Sequence, residues 1–256
     1  MYVSHLKLRN WRNFTRAEVD FKETTYVLGP NASGKSNLLD IFRFMRDIAN
    51  PKGGGLQQAL ASRGGLSKVR SLAARKAPQV ELEFELRADL EDQLGPADWT
   101  YTLCFNAEGT GRHRPIVLRE EAQRFGTLLF SRPDEGDKLD PERLTQTCLE
   151  QTNMNKDFRE IAQFFEQVLY LHLVPQLLKY GDQLALKHLD ADPFGQGFLE
   201  QISATQKKTR DFRLKTIENV LKKVVPNLKQ LKFTQDDVTG RPHLEMLYSH
   251  WRPNAG

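Results

Sequence analysis

The clearest rhythm in the chain lies between Val80 and Arg87, where apolar Val80, Leu82, Phe84 and Leu86 alternate with Glu81, Glu83, Glu85 and Arg87. A period of two is that of a half-buried strand. Trp99–Phe105 and Ile116–Glu121 carry similar strand patterns, and short polar turns between such strands predict an antiparallel meander. Nearer the start, Val3 to Leu8 and Ala17 to Phe21 also read as strands, and Thr24–Leu28 is a short β-branched and apolar run. The period then changes. Leu38, Leu39, Ile41, Phe42 and Met45 recur at helical spacing, which predicts a helix from about Gly34 to Ile48, stopped by Asn50-Pro-Lys-Gly-Gly-Gly55.

Later segments are less regular. Leu56–Ser62 is a small helical patch, and 134–155 is polar and loop-like, with "RPDEGDKLDPE" expected to be flexible surface. Phe158–Val168 predicts a helix running into a buried strand, Val168–Val174. Phe194–Val225 predicts helices with a basic insert at Lys207–Arg210, and Leu228–Phe233 with Pro242–Tyr248 predict a closing hairpin around Gly240.

Between Thr24–Leu28 and the first helix stands Gly29-Pro-Asn-Ala-Ser-Gly34-Lys35-Ser36, which fits G-x-x-x-x-G-K-[ST] at every fixed position. Strand, glycine turn, helix is the context this motif needs. Glycines let backbone N–H groups curl around a phosphate, and the helix start adds the positive end of its dipole. Lys35 is placed to reach β- and γ-phosphates, and Ser36 to put its hydroxyl on Mg²⁺.

Composition changes this picture little. The chain has 256 residues and a formal net charge of +4, which permits nucleic-acid contact without requiring it. The stretch Arg63, Lys68, Arg70, Arg75 and Lys76 contains no acid. It reads either as an anion- or DNA-facing loop or as a solvated surface, and no aromatics interleave it for base stacking. Glu81, Glu83 and Glu85 share one face of their strand. A metal site is one reading and a solvent-facing strand edge the plainer one. Cys104 and Cys148 are far apart without a C-x-x-C partner, which predicts ordinary thiols of a reducing compartment. No signal-like N-terminus and no run of about 18 apolar residues is present, so a cytoplasmic location without a membrane partner is expected.

The motifs together carry a resemblance. Leu6-Lys-Leu-Arg-Asn-Trp-Arg-Asn-Phe14, a strand, the loop with its "KSNLLD" continuation and a β-meander resemble the ABC-type heads of the SMC and RecF class, nearest to RecF/OLD-like ATPases of repair and phage defence. The N-terminal ~45 residues carry the specific part. "YSHWRPNAG" also looks like the segment preceding the signature region of such ATPases.

The resemblance implies an α/β fold: the N-terminal lobe of a P-loop NTPase head with an antiparallel β-subdomain and a helical insert. Its parts would be 1–50 (strands, loop, first helix), 51–130 (β-subdomain) and 131–256 (insert and closing strands). It implies that Gly29, Pro30, Asn31, Ala32, Ser33, Gly34, Lys35, Ser36 and Asn37 hold ATP, with Ser36 on Mg²⁺. It sets Arg12 and Asn13 beside the nucleotide, although Arg12 also reads as a plain strand-end arginine. Gln176 is the candidate Q-loop glutamine on Mg²⁺ and water, with Gln163, Gln167 and Gln183 as rivals. The implied partners are a second head docked by ATP, DNA and an attached nuclease module.

The sequence departs from that pattern in one respect. A Walker B strand would supply the catalytic carboxylates, but its nearest match, Ile116–Glu121, has Arg119 in an apolar position and lies in the meander. "LFSRPDE" fails similarly, and no signature motif is found. The expectation is therefore a first lobe, completed by a C-terminal half in the same or another chain. A P-loop kinase and a non-catalytic nucleotide-binding module remain alternatives.

Overall fold

A computed structural model describes residues 1–50, 54–74, 78–88, 95–109, 113–172, 198–235, 240 and 242–249. The chain divides into two compact units, Met1–Leu169 and Tyr170–Gly256.

The first unit is built on one antiparallel sheet of order β2-β1-β3-β4-β5-β6. Its strands are β1 (Tyr2–Trp11), β2 (Phe14–Asp20), β3 (Val80–Arg87), β4 (Trp99–Ala107), β5 (Pro115–Arg124) and β6 (Thr127–Arg132). The expected meander is present, extended by β6, and the N-terminal hairpin joins the same sheet through β1 and β3. Alternation puts Leu6, Leu8, Leu82, Phe84, Tyr101, Leu103 and Phe105 in the core. Helices α1 (Lys35–Ala49), α2 (Gly55–Ala61), α3 (Leu66–Val69) and α5 (Arg159–Glu166) add residues to it. On α1 these are Leu38, Ile41, Phe44, Met45 and Ile48, the helical stripe read from the sequence. Phe44 meets Phe105 at 5.6 Å between ring centroids and Phe165 meets Phe84 at 5.0 Å. Each fully buried side chain of this kind contributes about 1.5–3 kcal/mol.

The polar row Glu81, Glu83, Glu85 lies on β3, between β1 and β4, so it is an inner row and not an edge. Glu83 pairs with Lys7 at 2.9 Å, and Glu81 pairs with Arg119. No cluster with metal-ligand character occurs among the described residues.

One phase change in β5 has consequences. Cys104 pairs with Arg119 and Phe105 with Val117, which leaves Leu118 as an extra residue, a β-bulge. The bulge turns Glu120 inward with Val117 and Ala122. Buried Glu120 accepts hydrogen bonds from the Tyr101 hydroxyl (2.7 Å) and the N–H groups of Cys148 (2.8 Å) and Leu149 (3.0 Å). Burial pushes its carboxyl up. This strand, the nearest match to Walker B, therefore spends its inward carboxylate on tying down the 148–149 backbone.

The polar stretch "RPDEGDKLDPE", expected to be flexible surface, instead forms helical turns tied to the sheet by long-range hydrogen bonds. Arg132 is buried and donates to Asp137 through Nε (3.1 Å) and Nη2 (2.7 Å), to the Gln146 and Arg143 carbonyls (3.0 Å each) and to Cys148 Sγ (3.2 Å). Asp134 and Asp137 form a capping box on α4 (Glu135–Leu139). The local signals were turn-like, and long-range partners on the sheet decided the outcome. Both cysteines are free and buried, as ordinary thiols should be. Burial pushes Cys104 up to about 11 and Cys148 up to about 12.

Two expected strands do not form. Thr24–Leu28 forms no strand ladder among the described residues, leaving Tyr26 82% and Leu28 89% exposed. A strand is made by its ladder, and no neighbour is offered to this one. Val168–His172 has no regular structure, and Leu169 and Leu171 are exposed. The rest of that run, with Gln176 and Gln183, lies outside the described residues.

In the second unit α6 (Phe198–Ala204), α7 (Lys207–Val224) and the β7–β8 hairpin (Leu228–Gln235, Pro242–Tyr248) match the expected helices and closing hairpin. Glu218 on α7 accepts from Lys222 (2.7 Å), Lys215 (2.9 Å) and the Leu231 N–H of β7 (3.0 Å), and these hold its carboxyl down at about 2.

Candidate nucleotide site

The glycine loop runs from unpaired Leu28 into α1. Ala32 and Gly34 both take left-handed backbone, at φ 63° and 101°. These turns bring the chain to a helix start with no side-chain cap and no acid in its first turn. The first N–H groups of α1 are thus free to serve an anion, with the dipole behind them. Lys35 folds back over the loop and its Nζ donates to the carbonyls of Gly29 (2.6 Å) and Pro30 (2.7 Å). Its ammonium is thus held against the loop's own backbone. Asn31 and Ser36 are exposed beside it.

The β1–β2 turn is bolted to this helix. Trp11 opposes Phe14, so Arg12 and Asn13 are a two-residue hairpin turn. The Trp11 indole N–H donates to the Asn37 carbonyl (2.9 Å), and its ring meets Phe44 at 5.0 Å. The Asn37 amide donates to Asn13 Oδ1 (2.7 Å), and Arg12 Nη2 to Asp40 Oδ2 (2.7 Å). The left-handed φ of Gly34 favours glycine, and a Cβ there would lie 2.4 Å from Asn13 Nδ2, so the Asn13 amide would have to shift. Arg12, Asn13 and Asn37, all proposed from the sequence, are therefore together at the loop's flank. With Ser67, Lys68, Arg70, Ser71 and Leu72 they line a cleft of about 420 Å³.

The basic stretch divides. Arg63 is not a DNA-facing residue. Its side chain is 5% exposed, paired with Asp40 (3.1 Å) and Asp47 (2.9 Å), and lies over the Phe44 ring. Lys68 and Arg70 reach the cleft, whereas Arg75 and Lys76 fall outside the described residues. The sequence reading missed Asp40. Its signal was present, an acid one helical turn after Asn37, but only the fold shows which arginines it meets.

A glycine loop opening an uncapped helix, with a hairpin turn clamped to the helix flank over an antiparallel sheet, is the arrangement that the resemblance to SMC/RecF-type heads leads one to expect. Residues 25–147 match the family described as AAA domain, putative AbiEii toxin, Type IV TA system. The curated relatives are RecF proteins. The chain is 33% identical over 97 residues to the DNA replication and repair protein RecF of Chloroflexus aggregans, covering 38% of this chain and 22% of that one. It is 28% identical over 129 residues to RecF of Trichodesmium erythraeum, covering 50% and 31%. The matched part of the chain thus spans less than a third of the length of these two relatives. Among solved structures, that of the recombination mediator protein RecF-ATP in the RecFOR pathway is 16% identical, covering 91% of this chain and 60% of that one, at a TM-score of 0.29. At that score the likeness carries no argument.

Proposed function

We propose that Gly29–Asn37 binds the phosphates of Mg-ATP and that this chain is the nucleotide-binding lobe of a RecF/SMC-like ATPase. The observation that carries it is the uncapped start of α1 behind the glycine loop, with the Lys35 ammonium held against the loop carbonyls. The residues fit the group: backbone donors and an ammonium for phosphate, and an exposed Ser36 hydroxyl for Mg²⁺. When bound, Mg-ATP supplies the anionic group that releases Lys35 from its own loop carbonyls. Arg12, Asn13, Lys68 and Arg70 would flank the nucleotide. Gln176 remains the proposed glutamine contact to Mg²⁺.

The relatives are named for DNA replication and repair, and this supports ATP-dependent work on DNA, in repair or in phage defence, as the setting. Docking of two heads around ATP, completed by a C-terminal half, and association with a nuclease module are the accompanying proposals. Cytoplasm is the proposed location, and no helix among the described residues is long and apolar enough to cross a membrane.

Calorimetric titration with Mg-ATP tests the loop. Lys35→Ala should lose at least ~10-fold in affinity, as expected for a charge-assisted phosphate contact of about 1.5–3 kcal/mol, without lowering the melting temperature. An unchanged affinity would remove the loop from the site.

A further inference from the structure

Asp40 occupies an unusual place. It sits on the second turn of α1, one turn beyond Asn37, with its side chain 13% exposed. Two arginines share it. Its Oδ2 accepts from Arg12 through Nε (3.2 Å) and Nη2 (2.7 Å), and also from Arg63 Nε (3.1 Å). Its Oδ1 faces Arg63 again, at 3.1 Å from Nη2.

The two arginines differ in what they can do. Arg63 is held through Nε and Nη1, while its buried Nη2 makes no hydrogen bond. Its Nη1 donates to the Ala59 carbonyl at 2.8 Å and pairs with Asp47 at 2.9 Å, and its plane lies 5.3 Å from the Phe44 centroid. It forms a fixed backing for Asp40. Arg12 is 27% exposed at its side chain and lines the cleft beside the loop. Its backbone is left-handed, at φ 48°, in a turn position where glycine or asparagine is the easier residue. Its N–H donates to the Val69 carbonyl at 2.6 Å. A strained arginine clamped at both backbone and guanidinium is one whose side-chain direction is being specified.

We propose that Asp40 is a positioning residue: backed by Arg63, it holds the Arg12 guanidinium in the cleft that Arg12 shares with Asn13 and Asn37, ready for a nucleoside triphosphate. An unheld arginine loses rotamer freedom when it engages a ligand, and a side chain fixed in advance has already lost it. Arg63, in the stretch read from sequence as a possible anion-facing loop, thereby serves the site from behind.

The proposal rests on the loop being the nucleotide site, and the experiment separates the two. Calorimetric titration of the 256-residue chain with Mg-ATP is run on the wild type, Lys35→Ala, Asp40→Asn, Arg12→Ala and the double variant, each with its melting temperature. Asp40→Asn should weaken Mg-ATP about 10-fold, the order expected for losing one preorganised charged contact. In the Arg12→Ala background the same change should cost no further affinity, although it still lowers the melting temperature. A merely structural Asp40 would instead weaken binding equally in both backgrounds. If Asp40→Asn does not fold, Arg12→Lys, which keeps the charge and loses the fork, should show the same loss. Wild-type affinity in Asp40→Asn or Arg12→Lys, with Lys35→Ala abolished, overturns the positioning role alone. Equal binding by wild type and Lys35→Ala overturns the loop reading and this proposal with it.

Discussion

Ala32 illustrates what one residue reveals here. The motif leaves its position open, yet the structure gives it φ 63°, a conformation that costs an L-residue roughly 1–2 kcal/mol. Glycine is free there, and a β-branched residue is worse than alanine. Ala32→Gly should therefore keep full Mg-ATP affinity and Ala32→Val should lose it about 10-fold, the equivalent of that strain. Titration of the two variants decides the matter, and a valine variant binding as well as wild type would show that the loop relaxes without cost. The loop, Arg12, Asn13 and Asn37 were legible from spacing and resemblance. Asp40 and the inward role of Arg63 were not, because both depend on α2 folding back against α1, and no local pattern encodes that approach.

At the scale of elements, periodicity found most strands and helices because each buries one face. It failed where pairing, not pattern, decides. Thr24–Leu28 has strand residues and no ladder, whereas Thr127–Arg132 had a weaker pattern and gained a ladder from β5. The α7–β7 contact gives a prediction of its own. Glu218 sits at about 2, below its ordinary 4.5, because Lys222, the Leu231 N–H and Lys215 favour its charged form. A depressed carboxyl contributes stability that is complete above the ordinary value and is lost as pH falls toward 2. Thermal unfolding followed from pH 6 to 2.5 should show the wild type losing stability through that window. Glu218→Gln should be less stable at pH 6 and converge on the wild type at the acid end. Parallel curves at every pH would contradict the assignment.

For the whole molecule, the first unit depends on a buried polar junction that composition could not announce. Arg132 spends its donors on the 134–148 segment and pairs with Asp137, whose carboxyl burial would raise but the Arg132 and Asp134 bonds hold down. Arg132→Ala leaves Asp137 and Glu120 buried and short of a cation, a loss of about 3–5 kcal/mol. It should lower the melting temperature of this unit by roughly 10 °C. Arg132→Lys should fall between, since an ammonium cannot reproduce the planar fork. A melting curve for Arg132→Ala that overlays the wild type would mean that the segment is held by its caps alone.

The bulge in β5 has a consequence for how the chain is compared with others. Leu118 is the one residue without a partner between Cys104–Arg119 and Phe105–Val117, and it lies outside the inward set of Val117, Glu120 and Ala122. A chain lacking that residue would keep every other pairing and put the same side chains into the core. A one-residue gap opened at this point of an alignment is therefore neutral to the fold. Two sequences that differ in length here describe the same strand, and the positions on either side of the gap are to be matched as if nothing were missing.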